Sequence, residues 1–353
     1  MALTRENVIE TLKSLKGPKG LDIISGGEMH ALEVTDISVR FVLEIEDSLI
    51  DFYSNLKELA ESKLKKMGAE EVSIALTAHA ALKTPPDLKG KQKAQPKLPQ
   101  EIPGVDRVLA VASGKGGVGK STVSANLACA LAKQGRKVGL LDADVYGPSQ
   151  PRMLGVSSRP SSPDGKTIIP LKNHGVTMMS MGLMVEDGQA IVWRGPMLMS
   201  ALQQMMMQVQ WGDLDVLIVD LPPGTGDVQM TLAQKTAVSG AIIVSTPQDV
   251  ALIDARKGID MFNQLNVPIY GMIENMSVHI CPNCGHEEHV FGHGGVKKEA
   301  SKIAVSLLAE IPLHLDIRIA SDQGVPIVVS APTSPQAMVF SELAKSMIAK
   351  GQA

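Results

Sequence analysis

A glycine-rich stretch near the centre of the chain carries residue types that bind phosphate. Residues 113–122 read Ser-Gly-Lys-Gly-Gly-Val-Gly-Lys-Ser-Thr, so a lysine and a hydroxyl directly follow the last glycine. Glycines let backbone N–H groups converge on phosphate oxygens, because a Cβ would obstruct the turn. We expect Lys120 to reach the β- and γ-phosphates of a nucleotide and Ser121 to bind Mg²⁺. The predicted nucleotide-binding residues are Gly114, Lys115, Gly116, Gly117, Val118, Gly119, Lys120, Ser121 and Thr122.

Three aspartates follow two of the apolar runs in the sequence. The run Leu140–Leu141 leads into Asp142 and Asp144, and the run Val216–Val219 leads into Asp220. Carboxylates that follow parallel strands lie at the carboxyl edge of a sheet, where the phosphates of a bound nucleotide also lie. The second run has the form of a Walker B strand, so we expect Asp220 to hold Mg²⁺ through water.

Two cysteines near residue 280 have the spacing of a metal-ligand pair. Cys281-Pro-Asn-Cys284 presents two thiolates to one centre, but a closed site needs further ligands. Three interpretations stay open. A two-fold dimer could pool two pairs around a [4Fe–4S] cluster, the pair could join His286 and His289 in a zinc site, or it could be a redox dithiol. The spacing alone favours zinc, because Cys-x-x-Cys-Gly-His is half a zinc ribbon.

These residues need a scaffold that brings several loops to one edge of a sheet. Apolar strand-like runs alternate with helical stretches throughout residues 105–353, which is typical of βαβ units. The sequence therefore predicts an α/β fold with a mainly parallel sheet and helices on both faces. The predicted strands are Val108–Ala112, Val138–Leu141, Val176–Met179, Val216–Val219, Ala241–Ser245, Ile269–Ile273 and Ile327–Val329.

A polar segment divides this domain from the beginning of the chain. Residues 83–104 contain five prolines and five lysines but no aromatic residue, so we expect a semi-extended linker. Residues 1–82 are predicted to form a small α/β domain. Its predicted elements are a helix beginning after Thr4, strands Met29–Val34 and Ile37–Ile45, a helix over Ser48–Met67 and a strand over Glu71–Leu76.

Composition excludes several classes of function. The net charge is −3, and the 353 residues include only ten aromatic ones (two Trp, three Tyr and five Phe). A strongly basic surface and stacking platforms for bases are therefore not expected, which argues against a nucleic-acid partner. The sequence contains no run of about 18 apolar residues, so we do not expect a membrane span. Three cysteines are too few for a disulfide scaffold, and we expect a reducing, cytoplasmic location.

Lys115, just after the first glycine, gives the phosphate-binding loop a second lysine. In this respect the chain resembles the MinD/ParA/nitrogenase-iron-protein class of P-loop ATPases, which have a deviant Walker A motif. The resemblance implies that Lys115 reaches across a homodimer to the partner's ATP, which makes ATP a dimer switch. It also implies that Asp144 orients the attacking water, that Asp142 lies near Mg²⁺, and that Asn275 and Pro247 contact adenine.

Further motifs narrow this resemblance over residues 105–353. They are Asp142–Ser149 (D-A-D-V-Y-G-P-S), Trp193–Pro196, Asp220–Asp227 (D-L-P-P-G-T-G-D), and the cysteine pair after Glu274–Met276. Together they are similar to the Mrp/ApbC family of ATP-binding iron–sulfur cluster carriers. The resemblance implies an ATPase, with ATP and Mg²⁺, that holds a [4Fe–4S] cluster between two subunits through Cys281 and Cys284. It implies transfer of that cluster to apo-proteins, with a cluster-assembly scaffold as a further partner.

Two other functions stay open at this point. A positioning ATPase of the ParA/MinD kind would bind DNA or membrane, but it leaves Cys281 and Cys284 without a role. A zinc-stabilised regulatory ATPase would use these cysteines together with nearby histidines. Metal analysis of protein purified without oxygen separates the second alternative from a cluster carrier.

The first domain resembles the small SUF-associated, MIP18-like domain that often precedes such ATPases. Residues 17–25, Gly-Pro-Lys-Gly-Leu-Asp-Ile-Ile-Ser, resemble that family's D-P-x-x-G-x-D-I-V-S segment, but glycine replaces the first aspartate, isoleucine replaces the valine, and one residue is missing between the proline and the glycine. No cysteine precedes Cys129, so the cysteine of many relatives is absent here. We therefore expect docking or client recognition from this domain rather than cluster chemistry.

Methionine is concentrated in one part of the sequence. Residues 178–207 hold nine of the 19 methionines, and they predict either core packing or an adaptable interaction surface. Cys129 lies among apolar residues and is expected in the core. The apolar residues from Phe340 to Ile348 predict a C-terminal helix that packs on the sheet.

Overall fold

A computed structural model describes residues 3–18, 20–25, 29–35, 37–46, 49–79, 99–145, 147–184 and 195–353. The chain divides into two compact units, Met1–Gln95 and Pro96–Ala353. Much of the predicted linker, residues 83–98, lies outside the described residues. Its last part packs on the second unit, because Ile102 is buried and Gln100 exchanges backbone hydrogen bonds with Lys235 and Ala237.

The first unit is a small α/β structure with its own core. Its elements are α1 (Arg5–Lys13), β1 (Met29–Val34), β2 (Ser38–Glu46), α2 (Ile50–Lys66) and β3 (Glu71–His79). Strand β2 pairs antiparallel with β1 and parallel with β3. The Thr4 hydroxyl accepts a hydrogen bond from the Asn7 N–H and caps α1 as predicted. Both helices bury apolar residues against the sheet, including Leu12, Tyr53 and Leu64.

The second unit contains a larger, mainly parallel sheet. Its strands are β4 (Val108–Ala112), β5 (Val138–Asp142), β6 (Leu171–Asn173), β7 (Val176–Ser180), β8 (Val216–Asp220), β9 (Gly240–Ser245), β10 (Ile269–Ile280), β11 (Glu287–Glu288) and β12 (Leu307–Leu313). In the described residues the strand order is β11-β10-β9-β4-β8-β5-β7-β6, and β12 pairs with β10. Among the described strands of this sheet, only β6 and β11 pair antiparallel with their neighbours.

Helices cover both faces of this sheet, as the sequence predicted. They are α3 (Lys120–Lys133), α4 (Gln150–Met153), α5 (Gly195–Gln208), α6 (Asp227–Lys235), α7 (Asp249–Gln264), α8 (Gly295–Lys302), α9 (Leu315–Asp322), α10 (Ile327–Ser330) and α11 (Pro335–Ala349). Successive residues of β4 alternate between two cores. Val108, Ala110 and Ala112 pack with α5–α8, whereas Leu109 and Val111 pack with α3 and α11.

One predicted strand is wrong. Residues Ile327–Val329 belong to the short helix α10, which begins after Pro326. A short β-branched run cannot be assigned to strand or buried helix by its pattern alone. Here α3 binds the backbone of Val328: Lys133 Nζ donates to its carbonyl oxygen at 2.6 Å, and Asn126 Oδ1 accepts from its N–H at 3.4 Å. These backbone groups are therefore unavailable to a strand ladder.

The predictions that Cys129 lies in the core and that a C-terminal helix packs on the sheet are confirmed. Cys129 is fully buried, and burial raises the pKa of its thiol to about 12. Phe340 and Met347 of α11 are buried against the sheet and α3. Met205 and Met206 are core residues, which confirms core packing for this part of the methionine-rich stretch. Met197 is 54% exposed, and an interaction surface there stays a prediction.

Candidate functional site

The glycine-rich loop connects the end of β4 to the start of α3, at the carboxyl edge of the sheet. Gly117 and Gly119 have φ values of +82° and +84°, a region that residues with a Cβ rarely adopt. Gly114 lies so close to the backbone of Asp254 in α7 that a Cβ there would overlap it. Two left-handed turns and one close approach therefore require glycine in this loop.

Lys120 and Asp220 form a buried ion pair directly below the loop. The ammonium Nζ of Lys120 lies 2.7 Å from Oδ1 of Asp220 and 3.3 Å from the hydroxyl of Ser121. The side chains of Lys120 and Asp220 are 6% and 0% exposed. The Ser124 hydroxyl also donates to Asp220, at 2.8 Å. The predicted phosphate-binding lysine is thus the counter-charge of the predicted magnesium-binding carboxylate.

Asp142 is a second fully buried carboxyl group, and it lies beside Asp220 because β5 and β8 pair with these two residues in register. Burial and the neighbouring Asp220 raise the pKa of Asp142 from 3.8 to about 7. Hydrogen bonds from neighbouring donors oppose this rise. Between 3.0 and 3.2 Å, its oxygens accept from the backbone N–H groups of Asp144, Ser149 and Gln150 and from the Ser180 hydroxyl.

These groups fit a magnesium ion. Ser121, Asp142 and Asp220 supply a hydroxyl and two carboxylates, and Mg²⁺ prefers oxygen ligands. The two adjacent buried carboxyl groups share a single lysine, Lys120. The raised pKa of Asp142 shows that this pair has too little positive charge nearby, and a metal ion could supply it. The arrangement can hold Mg²⁺ next to phosphates bound by the loop.

The two predicted residues that act on the reaction itself are more open to solvent. Lys115 is exposed, as a lysine that acts on a neighbouring molecule must be. Asp144 is half-buried, and its Oδ1 accepts a hydrogen bond from the Gly147 N–H at 3.2 Å. Thr122 lies in the first turn of α3, where its carbonyl oxygen accepts from Asn126. Tyr146 and the start of the Trp193–Pro196 motif lie outside the described residues.

Asn275 contacts the glycine-rich loop directly. Its Nδ2 donates to the carbonyl oxygen of Val118 at 2.8 Å, and it lies where a side chain on Gly119 would have to be. Asn275 is 7% exposed, and Pro247 is buried after the end of β9. The structure therefore shows a loop-supporting role for Asn275, and its contact with adenine, like that of Pro247, stays a prediction.

Cys281 and Cys284 lie at the tip of a β-hairpin. Strand β10 ends at Ile280 and pairs with β11, and the turn is closed by hydrogen bonds from Cys281 N to His286 O and from Gly285 N to Cys281 O, both 2.9 Å. Both thiols are free, and Cys284 is exposed. Backbone N–H groups of Asn283 and Cys284, and the Cys284 thiol, lower the pKa of Cys281. A thiolate at an exposed tip suits a soft metal centre.

The four-ligand zinc set is not assembled in this hairpin. His289 Nδ1 lies 3.0 Å from the carbonyl oxygen of Ser277, and the rings of His289 and His293 are 4.2 Å apart. In the part of the chain that the structure describes, no group of three or more His, Cys, Asp or Glu side chains is placed to hold a metal ion. A metal centre bound by Cys281 and Cys284 would need further ligands, whereas a redox dithiol would need none.

Sequence reasoning missed Gln150. This residue is fully buried, and its Nε2 donates to Asp220 Oδ2 at 2.9 Å and to the carbonyl oxygen of Ser121 at 3.0 Å. Its only sequence signal is its position directly after the Asp142–Ser149 motif, beside residues already assigned to the site.

A strand, a glycine-rich loop and a helix that begins with Lys120 and Ser121, beside the carboxylate that ends the neighbouring strand, define a P-loop NTPase. The family model described as ParA, NUBPL iron-transfer P-loop NTPase, matches residues 104–348. The chain belongs to this family.

Relatives of this chain extend the match beyond the second unit. The iron-sulfur cluster carrier protein of Helicobacter pylori is 42% identical over 350 residues, which covers 98% of this chain and 93% of that protein. The iron-sulfur cluster carrier protein of Escherichia coli K12 is 49% identical over 300 residues, covering 84% and 79%. A solved structure, the nucleotide-binding protein of Archaeoglobus fulgidus in complex with ADP, has a TM-score of 0.58 and 37% identity, covering 67% and 92%.

Proposed function

We propose that this protein is an ATP-hydrolysing iron–sulfur cluster carrier. The observation that carries the proposal is the presence, in one P-loop unit, of the Lys120–Asp220 pair below a glycine-rich loop and of two free thiols, Cys281 and Cys284, at a hairpin tip. The cluster is cargo, which two thiolates per chain hold loosely enough to hand on. The names of the relatives, which are carriers of iron–sulfur clusters, support the same assignment.

The nucleotide site works through charge exchange at Asp220. Lys120 neutralises Asp220 in the structure, and on nucleotide binding it moves to the β- and γ-phosphates. Ser121, Asp142 and Asp220 would hold Mg²⁺, and the ion would supply positive charge to balance both these carboxyl groups and the negative charge on the phosphates. Asp144 orients the attacking water, and Lys115 reaches the phosphates of the neighbouring subunit.

The carrier is a homodimer in this proposal. Two hairpins, each with Cys281 and Cys284, provide the four thiolates of a [4Fe–4S] cluster on the two-fold axis. The absence of a third ligand in the described part of the hairpin supports this arrangement. ATP closes the dimer through Lys115, and hydrolysis changes the exposure of the cluster to a client apo-protein.

Metal analysis tests this proposal. The protein is reconstituted without oxygen using iron and sulfide, and the variants Cys281→Ala and Cys284→Ala are compared with Cys129→Ala, in which a buried core cysteine is changed. We expect about two iron and two sulfide ions per chain in the unaltered protein and in Cys129→Ala, because two chains share four of each. Both hairpin variants should lose them. Unchanged iron in the hairpin variants, or one zinc per chain in protein purified without oxygen, would sink the assignment.

A further inference from the structure

Gln150 joins the three parts of the magnesium site. It begins α4, and its backbone N–H donates to Asp142 Oδ2 at 3.1 Å. Its side-chain Nε2 donates both to Asp220 Oδ2 at 2.9 Å and to the backbone oxygen of Ser121 at 3.0 Å. A single residue therefore contacts the segment after β5, the end of β8 and the start of α3.

These contacts fix the orientation of the Gln150 carboxamide. Both partners of Nε2 are acceptors, so the NH₂ group must point towards Asp220 and Ser121. The oxygen Oε1 then points away from them. It is buried, and it has no hydrogen-bond partner among the residues that the structure describes. Gln150 therefore acts on the site through its Nε2, whose two hydrogen bonds hold the carboxamide in one orientation.

The environment of Gln150 indicates what its Nε2 does when the metal is bound. Its backbone N–H contacts Asp142, and its Nε2 contacts Asp220 and the backbone oxygen of Ser121, the three residues that would hold Mg²⁺. Mg²⁺ demands near-ideal octahedral geometry, so a carboxylate that is held in one orientation binds it better than a mobile one. Gln150 is neutral, so it can hold Asp220 in place without adding a charge beside Asp142 and Asp220.

We propose that Gln150 is a positioning residue for hydrated Mg²⁺ with ATP, an assignment that rests on the proposed function. Its Nε2 keeps Asp220 in place when Lys120 leaves that carboxylate for the phosphates. Gln150 thereby raises the affinity for ATP in the presence of Mg²⁺ and has little effect on metal-free ATP.

Nucleotide affinity measured with and without the metal tests this role. ATP binding to the full chain is measured by titration calorimetry, once with Mg²⁺ and once with a chelator. The variants are Gln150→Leu and Gln150→Met, two apolar replacements of different shape. Gln352→Leu is the control, because the Oε1 of Gln352 is also buried without a partner in the described residues but lies outside the site.

We expect both Gln150 variants to reduce the gain in ATP affinity from Mg²⁺ by about tenfold, the effect of one hydrogen bond to a charged group. Metal-free ATP affinity should stay within about twofold of the unaltered chain, and Gln352→Leu should match it under both conditions. An equal gain from Mg²⁺ in the variants, or an equal loss with and without the metal, would overturn the role of Gln150 alone. Failure of the unaltered chain to bind ATP would overturn the proposed function as well.

Discussion

At the scale of single residues, the site depends on buried charge. Lys120, Asp220 and Asp142 are all buried, whereas Lys115 is exposed. A buried charge must be paired, so the structural and functional roles of Lys120 cannot be separated. The exposed lysine has no such structural role, and the two lysines of one loop should therefore respond differently to mutation.

We expect Lys120→Ala to abolish ATP binding and to lower the free energy of unfolding by about 3–5 kcal/mol, because Asp220 is left buried without its partner. Lys115→Ala should keep the stability of the unaltered protein within about 0.5 kcal/mol and still bind ATP, but lose hydrolysis. Urea denaturation, ATP binding and phosphate release check these outcomes. Equal destabilisation by both variants would contradict the structural difference between the two lysines.

The raised pKa of Asp142 predicts how stability changes with pH. The folded protein keeps Asp142 protonated up to about pH 7, whereas the unfolded chain releases this proton near 3.8. The contribution of Asp142 to stability is therefore full below about pH 4 and is lost as the pH rises towards 7, with a limiting slope of about 1.4 kcal/mol per pH unit.

Asp142→Asn should remove this dependence in nucleotide-free, metal-free protein. The free energy of unfolding of the variant minus that of the unaltered chain should be larger at pH 8 than at pH 5. Urea denaturation of both proteins at both pH values measures this difference. Asp144→Asn, at a half-buried position, serves as the control and should keep the original slope. The prediction fails when Asp142→Asn and the unaltered chain show the same change between the two pH values.

At the scale of elements, β10 links the nucleotide loop to the cysteine hairpin. Asn275 of this strand donates to Val118 in the loop, and Glu274 accepts from the Val296 N–H at the start of α8. Cys281 follows six residues after Asn275, a distance of roughly 20 Å along an extended chain. One strand therefore supports both halves of the proposed chemistry, and its contact with the loop requires glycine at position 119.

Gly119→Ala should strongly destabilise the second unit. The new methyl group would overlap Nδ2 of Asn275, and the φ of +84° is strained for alanine. Gly116→Ala is the matched control, because the nearest atom to its added Cβ is Cγ of Pro223 at 3.8 Å. Thermal unfolding without nucleotide should show a loss of stability of about 2 kcal/mol or more for Gly119→Ala only. Equal unfolding temperatures would contradict the close contact.

At the scale of the whole molecule, the two units have separate cores. The buried apolar residues of the first unit all lie between Val8 and Ile74, and those of the second unit all lie from Ile102 onwards. The predicted nucleotide and cluster residues all belong to the second unit. The MIP18-like assignment and the client-recognition role of the first unit stay predictions.

We expect a fragment of residues 96–353 to fold alone, because the described core residues of the second unit form clusters with one another. The fragment should bind ATP and take up iron and sulfide as the full chain does. Circular dichroism, ATP titration and metal analysis of the fragment check this. Loss of both ATP binding and cluster uptake in the fragment would show that the first unit completes the site.

The class of the fold and most residues of the candidate nucleotide site could be predicted from the amino-acid sequence. Glycines at fixed spacing, followed by lysine and serine, specify a phosphate loop because residues with a Cβ rarely adopt the backbone of Gly117 and Gly119. The strand runs up to Ile273 were also predictable, since parallel strands buried on both faces are continuously apolar.

The sequence could not predict which charged side chains form ion pairs or which buried polar atoms lack a hydrogen-bond partner, because both depend on the tertiary structure. The pairing of Lys120 with Asp220 joins residues 100 positions apart, and the register of β5 with β8 brings Asp142 beside them. The position of Gln150 in this group has no local pattern, because it depends on where three separate segments meet. The helix at Ile327–Ser330 likewise depends on tertiary contacts. Side chains of α3 hydrogen-bond its backbone at Val328, so these groups are unavailable to a neighbouring strand.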